Sequence, residues 1–389
     1  MTLIDELPTP AVLVERSRLQ HNITRMQALA DAQDVALRPH TKTHKSVQLA
    51  RWQQEAGASG LTVAKVGEAE VLVDAGFEDI RLAYPIVSED KLERLQGLAG
   101  RARITFCVDT IEAARLASEY YHKAGLIAEV MVEVDVGYGR CGVYWNDDDS
   151  IQFVRDLAAL PGIHMAGILT HAGHSYDGPK DADESKEQAL RRVMAEERDN
   201  MLAFAAALGR AGLASPDSFE VSVGSTPSLR YFENAELGGF RVTEIRPGNY
   251  VFHDAIQESL GVCTWDQCAL TVNATVISRH RNDDGSERVF LDAGKKVFTS
   301  DRVPSTGELG VILYNPRVME PLPHAHLHAA SEEHGWVSIP GGATLLVGDQ
   351  VRVVPAHACV VVNMLDVFHI VDGDEVVDTW EVSSRGRVN

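Results

Sequence analysis

Eight short apolar runs, alternating with helical patterns along residues 35–250, leave this chain few folds to adopt. The runs are 35–39, 61–64, 80–84, 104–108, 128–135, 165–171, 219–224 and 242–247, with amphipathic periodicity between them at 66–75, 110–123 and 184–208. Eight consecutive βα units predict a parallel (β/α)8 barrel, the TIM-barrel architecture, rather than an open doubly wound sheet. Past residue 255 the periodicity shortens to two. Runs at 269–278, 288–291, 336–339, 350–354 and 359–364 read as strands, Asp372-Gly373 as a hairpin tip and Asn282-Asp283-Asp284-Gly285 as an exposed turn. The expected organisation is a barrel over 8–254 and a mostly β domain over 255–389, with the run at 11–15 a candidate extra strand of the latter.

A chain of 389 residues with 45% apolar and 24% charged residues can bury a large core. A net charge of −20 disfavours nucleic acid and anionic membranes as partners, though a local cationic site would still take a small anion. Five cysteines in so long a chain make no disulfide framework, and the first residues lack the pattern of a signal peptide. Both point to a cytoplasmic protein. No apolar run approaches the roughly 20 residues that cross a bilayer.

In such a barrel, chemistry gathers at the C-terminal ends of the strands. Lys42, in Arg38-Pro39-His40-Thr41-Lys42, follows the first run, and Asp135-Val136-Gly137-Tyr138-Gly139-Arg140 follows the fifth. His171, His174 and Tyr176 follow the sixth, Gly224-Ser225-Thr226-Pro227 the seventh, and Arg246-Pro247-Gly248-Asn249-Tyr250 the eighth. The last two loops offer glycines, hydroxyls and backbone amides, which suit a phosphate; a capped turn is the other reading of Gly-Ser-Thr-Pro taken alone. A lysine across from a phosphate site can form an imine with a carbonyl cofactor, whereas most lysines are simply solvated charges. At the other end of the chain, His357-Ala358-Cys359 on a strand would present two soft ligands on one face, fit for a catalytic zinc. A buried thiol beside a satisfied histidine is the alternative that spacing leaves open.

Taken together, Arg-Pro-His-x-Lys, Val-Gly-Ser-Thr-Pro, Arg-Pro-Gly-Asn-Tyr, Ser331-Glu332-Glu333-His334-Gly335 and the late His-x-Cys resemble the fold-type III pyridoxal phosphate enzymes. The branch in question holds D-serine dehydratases, D-threo-3-hydroxyaspartate dehydratases and D-threonine aldolases, and the resemblance spans essentially the whole chain. It implies pyridoxal 5'-phosphate on Lys42, its phosphate at Gly224, Ser225, Thr226, Gly248 and Asn249, and Arg140, His171, Tyr176, Arg246 and Tyr250 around it. It also implies a divalent metal on His357 and Cys359, with Zn2+ first and Mn2+, Co2+ or Mg2+ as alternatives, a D-amino acid substrate and a homodimer.

The expected reaction is β-elimination from a D-β-hydroxy-amino acid to a 2-oxo acid and ammonia, with Lys42 removing the Cα proton and the metal assisting the leaving hydroxyl. The resemblance also implies that Cys359, where the aldolases of this branch tend to carry Asp, favours dehydration over aldol cleavage. An aldolase using His171 or His174 as base is the runner-up. The racemases' Gly-Tyr-x-Asp-Gly segment is not found. His324, His326 and His328 form His-x-His-x-His, expected as a solvated loop, with a second metal site or a metallohydrolase centre as the competing reading.

Overall fold

The computed structural model describes residues 2–341 and 345–389. The chain divides into two compact units: one of Met26–Lys42, Ala50–Gly248 and Arg387–Asn389, the other of Met1–Arg25, Thr43–Leu49 and Asn249–Gly386.

In the first unit all eight runs are strands. Their order around the sheet is Ala36–Leu37, Glu244–Ile245, Glu220–Val223, Ile163–Leu169, Ala128–Asp135, Arg103–Val108, Asp79–Pro85 and Leu61–Val63, every neighbour parallel. A parallel bridge between His40 and Thr62 joins the two ends of that order, with Thr62 N donating to Pro39 O at 2.8 Å. The eight strands are thus curled into a ring in which chain neighbours are spatial neighbours, the economical solution for repeated right-handed βα units.

Several helices start where a side chain satisfies their free amides. Thr110 accepts from Ala113 N ahead of Ile111–Lys123, and Ser185 and Gln188 form a reciprocal box at the start of Lys186–Arg210. Part of the ring's interior is apolar, as at Cys107, Met131, Ala166 and Leu169. Beside it lies a buried ionic network. Arg81, wholly buried, pairs with Glu244 and Glu220, while Arg38 Nε meets Glu244 Oε2 at 2.6 Å and Arg38 Nη1 meets Asp79 Oδ1 at 2.8 Å. Buried guanidiniums are tolerated because each is matched by a carboxylate with good geometry.

The second unit is built on a ten-stranded, mostly antiparallel sheet. Six of its strands close on themselves: Leu270–Arg281, Glu287–Leu291, Gly335–Ile339, Glu320–Ala330, Gly310–Asn315 and Gln350–Pro355, the last pairing back onto the first. Ala11–Glu15 joins this sheet, buried at every position, between Leu270–Arg281 and Val367–Asp372. Asp372-Gly373 does turn a hairpin, between Val367–Asp372 and Glu375–Glu381.

Two expectations fail here. Residues 359–364 are not a strand: Ala358–Met364 is a helix, and the pair His357/Cys359 straddles its start. His-x-His-x-His is not a loop but lies within the strand Glu320–Ala330, with its three imidazoles exposed. His326 Nδ1 meets Glu308 Oε1 at 2.5 Å. Pro321 and Pro323, in the same strand, are accommodated where its register shifts against Gly310–Asn315. No group of three or more His, Cys, Asp or Glu residues is disposed to hold a metal among the described residues, so the second-metal reading of this cluster gains nothing.

Candidate functional site

At the C-terminal ends of the parallel strands the structure gathers most of the barrel residues singled out from the sequence. The chain leaves the first strand through buried His40, and Lys42 N donates to His40 Nδ1 at 3.4 Å. Lys42 is exposed. His171 is held neutral, pushed down to about 3 by burial first and then by the positive charges of Lys42, Arg140 and Arg246. His40 is lowered well below the usual range by burial, then by Lys42, Arg246 and His171. Two uncharged imidazoles therefore sit inside a cluster of three cations.

Arg246 is buried and donates to Ser222 Oγ and Thr170 O. Ser222 Oγ in turn donates to Glu244 Oε1 at 2.5 Å, which ties Arg246 to the ring's ionic network. Arg140 is half-exposed, with Nη2 at 3.5 Å from Glu133 Oε1. Its loop turns on the Asp135 carboxylate, which accepts from the amides of Gly137, Tyr138 and Gly139. Tyr138 packs edge-on against His171, ring centres 6.0 Å apart. Tyr176 closes the short turn Gly173–Tyr176. His174 points elsewhere: its Nε2 is 3.6 Å from Glu196 Oε2, on the helix Lys186–Arg210, and burial lowers its pKa.

The Gly224-Ser225-Thr226 loop is held from behind. Gly224, at φ +123°, donates its amide to Glu197 Oε1 at 2.8 Å. Ser228 Oγ donates to Glu197 Oε2 at 2.6 Å, and Ser225 Oγ lies 2.8 Å from Ser175 Oγ. A Cβ on Gly224 would come within 3.0 Å of Arg246 N, so the close approach of these two loops requires glycine. Glu197 has no sequence signature, since it stands 27 residues before the loop it braces.

In the other unit, Asn249 and Tyr250 are buried in the turn Asn249–Val251 that follows Gly248. His357 is extended and Cys359 sits in the first turn of the helix, a break in backbone that still lets the two side chains interact. His357 Nδ1 meets Asp301 Oδ2 at 2.6 Å, and Cys359 Sγ donates to Thr43 Oγ1 at 3.2 Å. Burial opposes a charged imidazole here, yet Cys359, Asp301 and Asp254 outweigh it and push His357 up to about 11. The spot favours positive charge. Asp301 and Asp254 were missed in the sequence because they contact the pair across 56 and 104 residues.

The residues fit the groups the resemblance implies. A cofactor bearing a phosphate suits a cluster of cations around neutral histidines and a glycine cradle that any side chain would fill. A divalent cation suits a histidine whose Nδ1 is held by a carboxylate, a neighbouring sulfur and an anionic surround.

A lysine, a glycine-lined anion cradle, buried Arg246 and half-exposed Arg140 at one end of a parallel ring describe a carbonyl-cofactor barrel followed by a β domain. The family model for the alanine racemase N-terminal domain matches residues 14–255 and that for the putative serine dehydratase domain matches 269–371; the chain belongs to this family and is a pyridoxal phosphate-dependent lyase. It is 36% identical to the D-threo-3-hydroxyaspartate dehydratase of Delftia sp. (strain HT23), over 96% of this chain and 97% of that protein. It is 34% identical to the D-threonine aldolase of Arthrobacter sp., over 97% and 93%. Among solved structures, a cysteine-to-alanine mutant of D-threo-3-hydroxyaspartate dehydratase in the metal-free form superposes with a TM-score of 0.87 at 34% identity, covering 98% of this chain and 99% of that one. No helix among the described residues is long and apolar enough to cross a membrane.

Proposed function

We propose that this protein dehydrates a D-β-hydroxy-amino acid such as D-serine or D-threo-3-hydroxyaspartate, giving a 2-oxo acid and ammonia. The observation that carries the reading is Cys359 beside His357, with Asp301 fixing the imidazole through Nδ1. When bound, pyridoxal phosphate supplies an electron sink at Cα, and the metal, Zn2+ in our reading, supplies a Lewis acid at the leaving hydroxyl. Lys42 would carry the cofactor and take the Cα proton. The loops at Gly224–Thr226 and Gly248–Asn249 would hold the phosphate, and Arg140, Tyr176 and Tyr250 would border the ring. Arg246, fixed by Ser222 and Thr170, would present a buried guanidinium to the ring. His171, held near 3, would serve as a neutral hydrogen-bonding surface rather than a proton acceptor. His357 and Cys359 would leave the remaining metal positions to substrate and water, since no third ligand joins them among the described residues. A barrel ending at 254, a β domain over 255–389 that also takes in residues 1–15, a homodimer and a cytoplasmic location belong to the same proposal, the last supported by five free cysteines.

The similarity to a D-threonine aldolase at nearly the same identity supports a second reading, cleavage of Cα–Cβ to glycine and an aldehyde or glyoxylate. The experiment that separates them is product analysis of metal-loaded holoenzyme with D-serine, D-threonine and D-threo-3-hydroxyaspartate. Ammonia that disappears with chelator is the expected result. Glycine with an aldehyde or glyoxylate, and no ammonia, would replace dehydratase with aldolase.

A further inference from the structure

Asp254 has no exposed surface, and one of its oxygens serves two donors at once. Oδ2 accepts from Asn249 Nδ2 at 2.5 Å and from Ala358 N at 2.9 Å. Oδ1 accepts from Gln257 N at 3.0 Å, capping the short helix Ala255–Ser259. The two Oδ2 donors belong to different parts of the chemistry. Asn249 lies in the loop assigned to the cofactor phosphate. Ala358 is the residue between His357 and Cys359, so its amide lies in the peptide plane that joins it to His357, at the first position of the helix that carries Cys359. Water cannot replace either donor at a carboxylate sealed from solvent, and a displacement of one changes the cost of keeping the other.

We propose that Asp254 is a positioning residue that couples cofactor binding to metal binding: fixing Asn249 in its phosphate-binding pose orders the start of the Ala358–Met364 helix, and loading the metal orders Asn249. This rests on the cofactor and metal assignments above. The coupling is reciprocal. Metal raises cofactor affinity by the same factor by which cofactor raises metal affinity, and couplings of this kind are typically about 5- to 150-fold.

The test uses the full chain, stripped of both groups. Pyridoxal phosphate binding is titrated by absorbance with and without Mn2+, and Mn2+ binding by calorimetry with and without pyridoxal phosphate. In the wild type both ratios should agree and exceed about fivefold. Asp254→Asn keeps the shape but sets an amide nitrogen against two donors, and should bring both ratios close to one. Asn249→Ala, a milder change should Asp254→Asn fold poorly, should also bring them close to one, while Mn2+ affinity without cofactor persists. Asp301→Asn, which touches His357 and not Asn249, should weaken Mn2+ binding and leave the ratio at its wild-type value. A wild-type ratio of one, two wild-type ratios that disagree, or a wild-type ratio retained in Asp254→Asn or Asn249→Ala would each overturn the coupling. A wild type that binds neither group would instead sink the functional reading, and the coupling with it.

Discussion

Lys42 is the residue on which the proposed chemistry turns, and its removal has two separate signatures. Lys42→Ala should abolish the visible absorbance of the cofactor-loaded protein and lower kcat by about a hundredfold to ten-thousandfold, the usual worth of a positioned base. Full activity in that variant would exclude the assignment. Asp301 makes a different demand. An orienting partner of a ligand histidine commonly contributes about 10- to 100-fold to metal affinity, so Asp301→Asn should weaken Mn2+ binding by that order in calorimetry. Glu197→Ala removes the acceptor of Gly224 N and of Ser228 Oγ and should raise the dissociation constant of pyridoxal phosphate, with Mn2+ affinity without cofactor unaffected. An unchanged cofactor affinity would show that the loop holds its shape without that brace. Lys42, His171 and Arg246 were legible in the sequence because each follows closely on a strand that its own apolar run announces. Asp254, Asp301 and Glu197 were not, because each acts across a long stretch of chain and resembles any other acidic residue in its local surroundings.

The elements of the ring were legible for a similar reason: repeated βα periodicity is a local pattern, and all eight strands fall on the runs that predict them. The start of the Ala358–Met364 helix was not. Cys359-Val360-Val361-Val362 has the composition of a strand, but Asp254 accepts the amide of Ala358, and tertiary context overrides propensity. Within the ring, the Glu244 network makes a claim about stability. Burial works to raise the Glu244 pKa, but Arg81, Arg38 and Arg246 outweigh it and hold the carboxyl at about 2, against an ordinary 4.5. A folded-state value below the unfolded one contributes stability that is fully present above about pH 4.5 and is lost as pH falls through about 2. Urea unfolding followed from pH 6 downward should therefore steepen its decline below about 4.5 in the wild type more than in Glu244→Gln. At neutral pH that variant should be less stable by about 3–5 kcal/mol, the cost of leaving buried guanidiniums short of a carboxylate. Identical urea profiles would mean that the arginines are satisfied by other partners.

At the scale of the whole molecule, the sheet of the second unit does not consist of the C-terminal region alone. Ala11–Glu15 stands between Leu270–Arg281 and Val367–Asp372, so a fragment of residues 255–389 lacks the strand that joins its terminal hairpin to the closed six. Such a fragment should show no cooperative urea transition, whereas adding residues 1–25 in trans should restore one. A cooperative transition in the fragment by itself would show that the terminal hairpin finds another edge. That same strand sets a timetable for biosynthesis. Its partners lie about 255 and 355 residues downstream, and at about 5–20 residues per second the ribosome delivers the first of them only after some tens of seconds. During that interval Val12, Leu13 and Val14, each almost wholly buried in the finished molecule, travel without the sheet that covers them. The nascent chain therefore presents an apolar handle to whatever holds unfolded polypeptide in the cell, and it withdraws that handle only after Val367–Asp372 has been made.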